Sequence, residues 1–218
     1  MNVEIRVEEE PARAAAELLV AASADVAVSG GSASRAHEIA AELRPDWSGM
    51  HIWFADDRAV PPDDERSNYR LAKETLLNRL SVQPEVHRIR GELGAAEAAD
   101  LYDEELRAVT LDLAMNGIGP DGHTASLFPH APGLDVTKRR AIAAGAQLDP
   151  FVPRVTMTPP VFAAAKLLVY LVLGEAKAEV VRRAFVDEPS RAIPASLIRG
   201  RRTIAILDSG SASQLPQG

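Results

Sequence analysis

The chain has 218 residues, of which 46% are hydrophobic and 25% charged, enough for one α/β unit with a sizeable core and an ordinary balance for a globular protein. Asp and Glu number 31 against 24 Lys and Arg, so the net charge is −7, which argues against a nucleic-acid binder and demands a locally positive pocket for any anionic ligand. There is no cysteine, which excludes disulfides, thiolate zinc sites and cysteine nucleophiles.

The opening MNVEIRVEEE is acidic and alternating, so it reads as a strand over 3–7 and not as a signal peptide. A helix is expected over 11–22, with Pro11 in its first turn, where a missing N–H does no harm. Residues 25–29 (DVAVS) form a buried-type strand that runs into Gly30-Gly31-Ser32 and a helix over 34–43. A short strand over 51–54 precedes Asp56-Asp57-Arg58, which reads as a polar turn, and the prolines at 61 and 62 bar helix there. Helices are expected over 67–80 and 95–109, then a strand over 111–115 ending in a glycine-rich turn. Strands follow over 154–158 and 166–173, the second apolar enough for a central place, then a helix over 175–185 and a last strand over 203–207. Residues 208–218 read as a frayed tail. No apolar run approaches the ~18 residues of a membrane span, so no membrane partner and a cytoplasmic setting are expected.

Strands alternating with helices imply a single α/β domain over 1–218, with a mainly parallel sheet covered by helices on both faces. In such sheets the ligand lies beyond the carboxyl ends of the strands. Four clusters sit there. Ser29-Gly30-Gly31-Ser32 lies between a strand and a helix, where free N–H groups and a helix N-terminus can cradle an anion, although a plain tight turn has the same residues. Asp56-Asp57-Arg58 is either a surface turn or the place where Arg58 offers a forked donor set to an oxyanion. Gly117-Ile118-Gly119-Pro120-Asp121-Gly122-His123 brings Asp121 and His123 into one turn. It spells G-x-G-x-x-G, but Pro129 and Pro132 prevent a long following helix, no acid closes a second strand, and Asp121 would repel a pyrophosphate; a dinucleotide site is therefore rejected. Lys177, after an apolar strand and Gly174, is either a solvated lysine or an anion ligand. His37, His51, His87 and His130 are scattered with no metal-ligand spacing, so neither metal nor cofactor is expected and activity should survive chelators.

Taken together, these clusters resemble the 6-phosphogluconolactonases, whose fold is shared with glucosamine-6-phosphate deaminases. The family pattern reads S-G-G-S/T, D-E-R-x-V-P with a downstream S-N-Y, G-x-G-x-D-G-H-T-A-S-L-F-P, R-V-T-x-T, G-x-x-K and P-A. It is matched in order by residues 29–32, 56–61 with 67–69, 117–129, 154–158, 174–177 and 194–195. Asp57 stands where the family usually has Glu, and Ser34 where a proline is common. The deaminases carry an acid five residues after the histidine; here that position is Phe128, which favours lactone hydrolysis.

The resemblance implies an oxidative pentose phosphate pathway hydrolase acting on a phosphorylated sugar lactone. His123 would be the general base, with Asp121 one candidate to orient it. Gly119 and its neighbouring glycine turns, with Arg154, would face the developing oxyanion. Ser29, Gly30, Gly31, Ser32, Asp56, Arg58 and Lys177 would hold the substrate and its phosphate. A monomer is expected. A deaminase-like enzyme and a non-catalytic sugar-phosphate sensor are the alternatives; such sensors carry a DNA-binding helical domain, which this sequence does not show.

Overall fold

The computed structural model describes residues 3–216. In chain order the elements are β1 (Glu4–Val7), α1 (Pro11–Val20), β2 (Asp25–Val28), α2 (Ser34–Leu43), β3 (His51–Phe54), β4 (Asp56–Arg58), α3 (Asn68–Thr75), β5 (Glu85–His87), α4 (Ala95–Glu105), β6 (Leu113–Asn116), β7 (Ala141–Ala144), β8 (Arg154–Met157), α5 (Pro159–Ala164), β9 (Leu167–Val172), α6 (Ala178–Phe185), α7 (Pro194–Leu197) and β10 (Arg202–Leu207).

Seven strands form a parallel sheet in the order β1-β10-β9-β6-β2-β3-β5. The interior strands β6 and β9 are buried along nearly their whole length, not in alternation, because helices cover both faces. Five consecutive β9 side chains, Leu168 to Val172, are at most 2% exposed, which places this strand centrally as its composition predicts. The remaining strands build a separate antiparallel ribbon, β4-β8-β7. Its join to the main sheet is direct: Ala55 N–H donates to Val28 O (2.9 Å) and Met157 N–H to Ala55 O (2.8 Å).

The ribbon corrects two expectations. Asp56–Arg58 is a strand and not a turn, and the strand at 154–158 belongs outside the parallel sheet. Polar side chains masked β4, because its partner lies nearly a hundred residues away and no local alternation marks it. The tail is also corrected. Asp208 accepts the Gly174 N–H (2.9 Å) and the Ser211 N–H (2.7 Å), Ser211 is fully buried, and Leu215 packs on the core. Residues 208–216 are thus tied to the turn after β9; Gln217 and Gly218 lie outside the described residues.

Helix ends follow local chemistry. Pro11 opens α1. At α3, the Ser67 hydroxyl accepts the Arg70 N–H (3.3 Å), and the Asp57 carboxylate accepts the N–H groups of Asn68 (2.6 Å) and Tyr69 (3.0 Å). The expected helix over 67–80 stops at Thr75 and continues only as a 3₁₀ turn at Leu77–Arg79. Likewise the helix expected over 175–185 opens as a 3₁₀ turn, Glu175–Lys177, before α6.

Candidate active site

A cavity of about 260 Å³ opens at the carboxyl ends of β2, β6 and β9 and against the ribbon. It is lined by Ser29, Gly30, Gly31, Ser32, Asp56, Arg58, Gly119, His123, Arg154 and Lys177, so every site residue expected from the sequence except Asp121 faces it directly. Asp121 lies behind the histidine. Its Oδ1 accepts both the His123 backbone N–H (3.1 Å) and the ring at Nδ1 (2.6 Å). A hydrogen on Nδ1 leaves Nε2 with a free lone pair, the tautomer a proton acceptor needs. Burial alone would raise the Asp121 carboxyl; the hydrogen bond and charge of His123 outweigh it and leave its pKa below the usual value.

The turn that carries this pair depends on missing side chains. A Cβ on Gly119 would lie 2.0 Å from His123 Nδ1 and Cε1, so the imidazole rests against the bare Cα. The Gly119 N–H donates to His123 O (2.9 Å). That corrects one expectation: this N–H closes the turn and is not free to face an oxyanion. Gly122 has φ +88°, and a Cβ there would meet Ile193 at 2.8 Å. Ala195 N–H donates to Gly122 O (2.9 Å), so the Pro194-Ala195 motif braces this turn from behind. Phe128 is buried with its ring centroid 4.9 Å from that of His123, and Arg154 lies over its face at 5.5 Å. The aromatic thus supports both the histidine and an arginine from the position where an acid marks the deaminases.

The cations converge by topology. In the β4–β8 register Arg58 stands directly opposite Arg154. Like charges in such a pair repel, and burial together with the Arg58 charge holds the Arg154 guanidinium below its ordinary pKa. The Nε groups of both arginines are buried without a partner among the described residues. Lys177 reaches in from the opposite side, its Nζ donating to Ile118 O (2.9 Å), and burial lowers its pKa while Asp121 raises it. Asp56 is the one carboxylate lining the cavity among the described residues. Its oxygens accept from the Ser126 hydroxyl (2.5 Å) and the Asn68 amide (3.3 Å), which brace it against the cavity wall.

Asn68 belongs to a motif that the sequence marks, but sequence reasoning gave it no role in the site. Its Oδ1 accepts from Arg58 Nη1 (2.5 Å) and its amide donates to Asp56 O (2.9 Å), fixing the guanidinium. A Cβ on Gly30 would fall 2.2 Å from that same Oδ1, so the glycine loop and Asn68 fit only because position 30 has no side chain. The signal was available in the paired S-G-G-S and S-N-Y motifs, but nothing local says that they touch. Asp57, in contrast, points away from the cavity. Besides the α3 N–H groups it accepts the Arg58 N–H (2.7 Å) and the Ser67 hydroxyl (3.1 Å). Burial pushes its carboxyl up, to about 6, against the pull of those backbone N–H groups.

Comparison with known proteins agrees with this architecture. The chain is 34% identical to a 6-phosphogluconolactonase of Streptomyces coelicolor over 189 residues, 79% of this chain and 72% of that one. It is 37% identical to a 6-phosphogluconolactonase of Homo sapiens over 188 residues, again 79% and 72% of the two chains. The crystal structure of a devB protein, 28% identical, superposes with a TM-score of 0.86 over 98% of this chain and all of that one. A family model described as glucosamine-6-phosphate isomerases/6-phosphogluconolactonase matches residues 3–206, and the chain belongs to that family.

Proposed function

We propose that this cavity hydrolyses 6-phospho-D-glucono-1,5-lactone to 6-phospho-D-gluconate, with His123 as general base. The observation that carries the reading is the cross-strand pair Arg58 and Arg154, two cations held side by side at a cost, facing the same cavity as an Asp121-oriented histidine. An apolar or neutral ligand gives no reason to tolerate that repulsion; a phosphorylated one does.

His123 Nε2 takes a proton from water as the oxygen attacks the C1 carbonyl carbon. Asp121 stabilises the imidazolium that forms. Negative charge develops on the carbonyl oxygen, where the Arg154 guanidinium opposes it. The C1–ring oxygen bond then breaks, and His123 returns its proton to the departing oxygen. Arg58, Lys177 and the Ser29–Ser32 loop hold the phosphate and so place C1 near the histidine. The lactone is an activated ester, for which general-base help of about 10²–10⁴-fold is sufficient. All these side chains come from one chain, so a monomer suffices, and the phosphorylated substrate suits a cytoplasmic setting.

The test generates the lactone in situ from glucose 6-phosphate in mildly acidic buffer, where spontaneous opening is slow, and follows its decay with and without protein. Ammonia release from glucosamine 6-phosphate is the counter-assay. Rapid lactone loss without ammonia is expected. Ammonia release would mean that Phe128 does not exclude deaminase chemistry, and binding of 6-phosphogluconate without turnover would make the protein a sensor.

A further inference from the structure

At the outer edge of the parallel sheet, β3 and β5 pair with His51 opposite Glu85 and Trp53 opposite His87. Alternate residues share a face, so all four side chains stand on one side of the sheet. There His51 Nδ1 lies 3.0 Å from His87 Nε2, and the Glu85 carboxylate oxygens lie 3.6 Å from each of these nitrogens. His51 and Glu85 open their strands, whereas the lactone cavity lies at the carboxyl ends; none of the three lines it.

The spacing is that of a coordination polyhedron. Ligands about 2.0–2.1 Å from a tetrahedral ion are about 3.3–3.4 Å apart; here the two ring nitrogens stand 3.0 Å apart, each has one Glu85 oxygen at 3.6 Å (Oε2 for His51, Oε1 for His87), and one ligand atom from each residue lies within 4.8 Å of the others. The rings are also held as ligands are held. His87 stacks on Trp53 at 3.8 Å with the planes 5° apart, and the Trp53 indole N–H is anchored on Asp25 (2.9 Å). The second nitrogen of His87, Nδ1, faces Glu105 from α4 at 3.9 Å, a carboxylate behind the imidazole that Arg90 fixes in turn at 3.0 Å. Glu85 is exposed, leaving the outer position open to water.

We propose that His51, Glu85 and His87 form a binding site for a divalent transition ion of the zinc type, which ties edge strand β5 to β3. Two imidazoles and one carboxylate suit Zn²⁺, Co²⁺ or Ni²⁺ and not the all-oxygen preference of Ca²⁺ or Mg²⁺. The sequence hides the site because its two histidines are 36 residues apart and only the strand register brings them together. The ion braces the fold and takes no part in lactone hydrolysis.

The test is a zinc titration of EDTA-stripped protein at neutral pH, by calorimetry and by thermal unfolding. The expected result is one saturable Zn²⁺ per chain at this cluster and a Tm raised by several degrees. His51→Gln and Glu85→Gln, both at solvent-accessible positions, should weaken that binding at least about tenfold while keeping native circular dichroism and lactone turnover. His123→Ala should keep the bound ion, which separates this site from the His123–Asp121 pair. Lactone turnover should be the same with zinc or with EDTA. Absence of saturable binding in the wild type, or undiminished binding in both edge variants, would overturn the proposal.

Discussion

At the scale of single residues the site is a set of fixed relations to one imidazole. His123→Ala should lower kcat by about 10²-fold or more with KM nearly unchanged, since the ring acts on water and not on the phosphate. A variant with full kcat would remove the general-base role. Gly119→Ala should do nearly the same damage without touching any polar group, because its Cβ would occupy the space of the ring, 2.0 Å from Nδ1. Steady-state kinetics alongside a thermal melt separate the two effects: kcat should collapse while the fold persists. The glycine-rich turn therefore serves less as a source of N–H donors than as a flat seat for the histidine.

Elements set the charge of the cavity. The ribbon β4-β8 places Arg58 opposite Arg154, and α3 holds Arg58 in place through Asn68. Replacing Arg58 or Lys177 by Met should raise KM strongly with a smaller change in kcat; an unchanged KM in lactone kinetics would rule out phosphate contact. Asp57 works at this scale too. It closes the N-terminus of α3 with a buried carboxylate and four donors, so Asp57→Ala should cost roughly 2–4 kcal/mol in urea denaturation.

For the whole molecule the informative group is His37, fully buried in α2 and outside the catalytic machinery. The Thr75 hydroxyl hydrogen is committed to Leu71 O, so Thr75 Oγ1 accepts from His37 Nδ1–H, while Nε2 has no partner among the described residues. Burial pushes the His37 pKa down to about 4 from an ordinary 6.5. The folded state therefore binds this proton less readily than the unfolded one. The associated stability is complete above 6.5 and is lost as pH falls through about 4, a difference of roughly 3 kcal/mol. Asp57, raised to about 6, works in the opposite sense over an overlapping range, its protonation favouring the folded state as pH falls. The His37 contribution is therefore read as a difference: the stability deficit of His37→Gln relative to wild type should shrink as pH drops from 7 to 4. A constant deficit in pH-dependent denaturation would place the His37 pKa near its ordinary value. Both unfolding curves should show one cooperative transition, as a single domain requires.

Much of this protein was legible in its sequence because the relevant physics is local. Apolar runs and turn residues along the chain marked six of the seven strands of the parallel sheet, with boundaries off by a few residues; the edge strand β5, three residues with polar Glu85 and His87 at its ends, went unmarked. The carboxyl-end rule then pointed to the loops that carry Ser29–Ser32, His123 and Lys177. What the tertiary structure alone decided is what long-range register decides. It made a strand of the polar Asp56–Arg58, set Arg58 against Arg154, seated Asn68 on the bare Cα of Gly30, and tied the tail to Gly174 through Asp208. It also brought His51 and His87 together across two strands. Side-chain alternation within a strand is written in adjacent residues, but the partner of that strand is chosen by the packing of the whole chain, and polar sites assembled across strands follow that choice.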